Sequence, residues 1–171
     1  MENTLKPSGL ISPEHILLDI ECSSKKRVFE QIALLFENSS GIARKSVFES
    51  LIARERLGST VIGKGTAIPH GRMESLRHPV AAFVRLSQPI VFESEDRDPV
   101  KNLFVIMSPE TPSPKHLQVC SLFTQMLSDP ELISRLDRSR DADSAFHLIQ
   151  EWESEHLDGR NGHDQLDAAA G

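Results

Sequence analysis

Cysteine occurs only twice in this 171-residue chain, at Cys22 and Cys120, far apart and without metal-ligand spacing. That sets aside a disulfide scaffold and a cysteine-held metal, and free thiols in a reducing compartment are expected. Long apolar runs are lacking too. Nothing approaches the roughly 20 residues that span a membrane, and no signal peptide opens the chain. A cytoplasmic protein with no membrane insertion is expected. Positive charge is also short: the formal net charge is -6, which disfavours a nucleic-acid partner held by phosphate neutralisation. With 39 % hydrophobic residues, a chain of this length can bury a core as one domain.

The apolar pattern runs from helices to strands and back to helices. Residues 1–14 carry Pro7, Gly9 and Pro13 and read as a loose lead-in. Ile16–Ile20 is a first strand or edge piece. Ser23 or Ser24 caps a helix with Val28, Phe29, Ile32, Leu35 and Phe36 on one face, ended by Gly41. A second helix spans about Arg44 to Arg56. Short strands follow at Thr60–Ile62 and Thr66–Ile68. Val80–Leu86 alternates as a half-buried strand, and Ile90–Phe92 reads as a separate extended piece after Pro89. The continuous apolar run Leu103–Met107 predicts a central strand, with Glu95–Pro99 in an exposed turn before it. Ser113-Pro114, Asp129-Pro130 and Asp141 each start a helix, and the chain is polar and expected to be disordered from Ser154. The order predicts an α/β (α+β) three-layer domain over residues 11–153, between a lead-in at 1–10 and a tail at 154–171.

Two of seven histidines stand out by position. His70 sits between Pro69 and Gly71, at the end of a predicted strand, where Gly71 permits a sharp turn. His116 lies in the first turn of a capped helix. His78, before Pro79, reads as exposed and without function. Strand ends and helix N-termini are where such domains gather ligands. A neutral imidazole is a competent nucleophile, and phosphoryl transfer needs little beyond a nucleophile in line and donors for the phosphoryl oxygens. Arg54 and Arg56 are candidates for those contacts. A metal needs a third ligand that no cluster supplies, Glu74 being weak, and a serine hydrolase needs an elbow that is missing. Spacing alone does not choose among these uses.

The run Arg54-Glu55-Arg56-Leu57-Gly58-Ser59-Thr60, continuing through Gly63 and Gly65 to Ala67-Ile68-Pro69-His70-Gly71, resembles the signature of the enzyme IIA family of the bacterial phosphotransferase system. The mannitol/fructose class and its nitrogen-regulatory branch are the nearest in pattern, and Lys115-His116-Leu117 extends the likeness. The resemblance implies a mixed sheet of about five strands with helices on both faces. It implies phosphoryl acceptance on His70 as a tele-phosphohistidine, support from His116 and contact by Arg54, with no cofactor or metal. The implied partners are an HPr/NPr-type phosphocarrier and regulated target proteins. The transport alternative is a IIA component that passes phosphate to a IIB domain of a fructose- or mannitol-type transporter. The opening from Ile11 to Lys26 and Gly58-Ser59-Thr60 resemble the regulatory branch. Lys64 departs from the family pattern and is expected to be a solvated turn residue.

Overall fold

A computed structural model of the protein describes residues 6–92, 99–111 and 113–158. Residues 95–98 of the expected Glu95–Pro99 turn and the tail from residue 159 lie outside the described residues. Six strands form one mixed sheet: β1 (Ile16–Ile20), β2 (Val61–Gly63), β3 (Thr66–Ala67), β4 (His70–Met73), β5 (Val80–Ile90) and β6 (Val100–Pro109). The order is β1-β5-β6-β3-β2, and β4 also pairs with β6, beyond β3 along the same edge. β6 is central, as its unbroken apolar run predicts. It is antiparallel to β5 and parallel to both β3 and β4.

Helices cover both faces: α1 (Pro7–Leu10), α2 (Lys25–Ser40), α3 (Arg44–Glu55), α4 (Pro114–Leu127), α5 (Pro130–Asp137) and α6 (Ala142–Glu153). Side chains alternate between the two faces of a strand, so β5 sends Ala82, Val84 and Leu86 into a core with α2 and α3. Ala81 and Phe83 go into a second core with α4, α5 and α6, where Phe83 stacks on Phe104 with centroids 4.6 Å apart. β5 is therefore buried on both faces, not half-buried as its alternation suggests. Even Arg85 is buried, held by the Asp19 carboxylate at 3.2 Å and by the carbonyls of Leu136 and Asp137 at 3.0 and 3.1 Å. Ile90 is not a separate strand but the end of β5, reached across a register shift after Arg85.

The predicted helix caps are present. Ser24, Ser113, Asp129 and Asp141 each accept a backbone N–H at the start of a helix, and Gly41 closes α2 at φ 67°. The lead-in is less loose than its prolines suggest. Leu10 and Ile11 are buried in the second core, and the Ser8 amide donates to the buried Glu153 carboxylate at 3.0 Å. At the other end α6 runs on into a π turn over Ser154–Asp158, where His156 stacks on Trp152 at 4.5 Å. Among the described residues, no helix is long and apolar enough to cross a membrane.

Candidate active site

Pairing with β6 fixes where His70 stands. The Ile106 amide donates to the Pro69 carbonyl at 3.1 Å, and His70 and Gly71 lie in register with Ile106 and Met107. His70 thus opens β4 instead of closing a strand, and Gly71 makes no turn. The glycine is there for close approach: a Cβ at Gly71 would collide with Ser50 Oγ on α3 and lie 3.1 Å from Met107 Cε. With no side chain between them, α3 lies against β4, and Ser50 Oγ donates to the Arg72 carbonyl at 3.0 Å. Arg54 follows Ser50 by four residues and therefore shares its helix face. That spacing carries its guanidinium to His70.

The hydrogen bonds around His70 determine its tautomer. Nδ1 lies 2.9 Å from the Ile68 carbonyl, which can only accept, so Nδ1 carries the proton. Nε2 is then the ring atom with a lone pair, and it accepts from Arg54 Nε at 3.0 Å. Arg54 is braced in turn by Nη1, which donates to the Gly58 carbonyl at 3.0 Å. Gly58 holds φ at 150°, a value that favours glycine. The ring is exposed. His70 is therefore a neutral, outward-facing imidazole with its nucleophilic nitrogen beside a fixed cation.

A cleft of about 410 Å³ opens in front of it, walled by Thr60, Ile62, Arg72, Leu117 and Cys120 among others. His116 is on the next helix along, 9 % exposed, within a reciprocal cap at the start of α4. Its amide donates to Ser113 Oγ at 3.3 Å, while its Nδ1 accepts from the Ser113 amide at 3.1 Å. An acceptor Nδ1 leaves the proton of the neutral ring on Nε2. Among the described residues no hydrogen bond joins His116 to His70, and His116 does not line the cleft. Its helix neighbours Leu117 and Cys120 do. Arg54 is thus brought onto His70, whereas His116 is only brought alongside.

Other expectations divide. Arg56 is exposed and caps α3 without reaching His70. Lys64 is exposed in the β2–β3 turn at φ 52° and lines a different cavity. Three features escaped the sequence reading. Arg72 lines the cleft, and its place two residues after His70 on β4 was the available signal. Ile62 and Leu117, on the cleft wall, are 49 % and 56 % exposed. His78 lies edge-on to His116 with ring centroids 6.1 Å apart, a contact that no local pattern announces. Among the described residues, no three His, Cys, Asp or Glu side chains group as metal ligands.

Comparison with known proteins gives a consistent answer. The family model described as "Phosphoenolpyruvate-dependent sugar phosphotransferase system, EIIA 2" matches residues 9–152. A nitrogen regulatory protein of Bradyrhizobium diazoefficiens is 36 % identical over 142 residues, 83 % of this chain and 93 % of the relative. One from Escherichia coli K12 is 35 % identical over 154 residues, 89 % of this chain and 94 % of that protein. The crystal structure of nitrogen regulatory protein IIA-Ntr from Neisseria meningitidis superposes with a TM-score of 0.76 at 37 % identity, covering 83 % of this chain and 97 % of that one.

Proposed function

Because the chain belongs to the EIIA 2 family of the phosphoenolpyruvate-dependent sugar phosphotransferase system and to its nitrogen-regulatory branch, we propose that it is a regulatory phosphocarrier working through His70. In this reading His70 Nε2 takes a phosphoryl group from the phosphohistidine of an HPr/NPr-type carrier. The phosphorylation state of His70 then sets the protein's binding to its targets. The observation that carries the proposal is the tautomer of His70, with Nδ1–H on the Ile68 carbonyl and a lone pair on Nε2.

The step balances simply. The Nε2 lone pair forms the new N–P bond as the P–N bond to the carrier breaks and its electron pair returns to the carrier's ring. His70 needs no base, because the attacking nitrogen has no proton to lose. The ring gains positive charge as it attacks, and the Ile68 carbonyl dipole at Nδ1 stabilises that charge. Arg54 gives up its bond to Nε2 and turns its N–H groups to the phosphoryl oxygens, as a planar guanidinium suits. Arg72 lines the same cleft and is a second cation for those oxygens. His116 stands alongside the cleft on α4, its Nε2 proton available for a supporting role. Exposed Ile62 and Leu117 give the carrier apolar surface to dock on around the cleft.

Incubation with a phosphorylated HPr/NPr-type carrier should place one acid-labile phosphate on the wild type, with the phosphorus NMR signature of Nε2 phosphorylation. His70→Ala should accept none. Stable labelling of the alanine variant removes the proposal. Rapid onward transfer to a IIB domain, with no target binding that depends on phosphorylation, replaces the regulatory reading by the transport one.

A further inference from the structure

A second cavity, of about 690 Å³, lies beyond the His70 cleft and shares Ile62 and Thr124 with it. It is formed by the β2–β3 turn, the start of β6 and the α4–α5 corner, and its size is that of a small-molecule site. His70 chemistry makes no use of it. Two of its lining residues hold buried polar atoms without any hydrogen-bond partner, Thr66 Oγ1 and Asn102 Oδ1. The residues are 2 % and 5 % exposed. Buried polar groups are normally paired, and orphans call for an explanation. The Asn102 amide is oriented by its Nδ2, which donates to Asp137 Oδ1 at 3.5 Å, so Oδ1 is the end left over.

Charge on the rim narrows the ligand. Lys101 Nζ is 3.3 Å from Asp137, and Lys64 has no ion-pair partner among the described residues. Two ammonium groups against one carboxylate leave a net positive rim, suited to a ligand carboxylate. Asp137 and Asn102 Oδ1 are acceptors suited to a ligand ammonium. The remaining walls are largely aliphatic, with Ile62, Leu127 and Ile133. No aromatic side chain lines the cavity among the described residues, so nothing there would stack a nucleobase.

We infer that this cavity is a binding site for a free α-amino acid with an aliphatic side chain. The carboxylate bonds to Lys64 and Lys101, the ammonium to Asn102 Oδ1 and Asp137, and the Thr66 hydroxyl completes the polar end. The site is separate from phosphoryl acceptance and would stand if the reading of His70 failed.

Titration of the full chain with L-alanine, L-valine, L-leucine, L-isoleucine and L-methionine, followed by ¹H–¹⁵N correlation NMR, tests this. At least one should shift the amides of Thr66, Lys101 and Asn102 saturably, with a Kd below about 1 mM. Lys101→Gln should weaken that affinity about tenfold, the loss of one charged contact. Thr66→Val removes the orphan hydroxyl at nearly constant volume. It should leave the Tm of the free protein unchanged or raise it, while weakening the amino acid. For leucine, 4-methylpentanoate and isopentylamine, which each lack one of its two charges, should bind at least about tenfold more weakly. No saturable shift from any of the five, or wild-type affinity in both variants, overturns the site. Equal binding of either one-charge analogue overturns its assignment to an amino acid.

Discussion

His70 and His116 are both anchored to backbone through Nδ1, yet the two anchors have opposite polarity. At the start of β4 the anchor is a carbonyl, so Nδ1 holds the proton and Nε2 keeps a lone pair that accepts from Arg54. At the start of α4 the anchor is an amide, so Nδ1 accepts and Nε2 holds the proton. One ring is left with a lone pair on Nε2 and the other with a proton there by the same kind of short local contact. A strand opening and a helix opening thus give identical side chains opposite tautomers, and at His70 the Arg54 guanidinium reinforces the choice by donating to Nε2. Their surroundings differ in the same sense: His70 is exposed beside Arg54, whereas His116 is buried in its cap.

Removing the cation should separate the two regions most. Arg54→Ala is expected to slow phosphoryl acceptance about 10²–10³-fold, the usual cost of one preorganised charged donor. Arg54→Lys should recover only part of that, since an ammonium cannot hold the Gly58 carbonyl and the phosphoryl oxygens with a fixed fork. Rapid-quench labelling with a phosphorylated carrier measures both. Equal rates for lysine and arginine would contradict the guanidinium's role.

His116→Phe should slow transfer less, by roughly 10–100-fold, the worth of one hydrogen bond to a charged group. With His70 as the proposed acceptor, total label at long times should stay the same. A variant that never reaches full labelling would make His116 an acceptor too, and would erase the division between the rings.

How much of this was legible in the sequence depends on the range of the forces involved. Caps are local, so Ser24, Ser113, Asp129 and Asp141 could be read from a few residues each. The meeting of Arg54 with His70 was legible because one signature run contains both, while the place of His116 was legible from the helix start that marks it. The tautomers were not, since each depends on where one backbone group points. Gly71 was misread for a related reason: proline and glycine beside a histidine suggest a turn, and only the packed helix reveals the demand for space. The burial of Arg85 was not legible because its partners come from β1 and from the α5 end, 51 to 66 residues away. The orphan atoms of Thr66 and Asn102 leave no local trace at all.

Gly71→Ala sharpens that lesson. Its Cβ should force α3 and β4 apart and lower the unfolding free energy by about 1–3 kcal/mol, measured by urea denaturation. Adding Ser50→Gly should restore part of the loss, because Ser50 Oγ is the atom met first. No rescue would place the strain elsewhere.

The smallest effect belongs to a helix start without a histidine. Asp141 accepts the Ser144 amide at 2.7 Å, which holds its carboxyl below the ordinary value of 3.8. A depressed folded value means that the cap's contribution is present above 3.8 and is lost as pH falls through the folded value. Asp141→Asn, which keeps an acceptor but cannot titrate, should show a smaller drop in Tm across that acid range than the wild type. Identical acid profiles would show that this carboxylate contributes nothing measurable there.

Long-range ¹H–¹⁵N NMR of the imidazole rings reads the opposed tautomers of His70 and His116 directly. At a pH above the ordinary histidine range, His70 should show a protonated Nδ1 and an unprotonated, pyridine-like Nε2, with His116 showing the reverse. The same tautomer in both rings, or a protonated Nε2 on His70, would contradict the account.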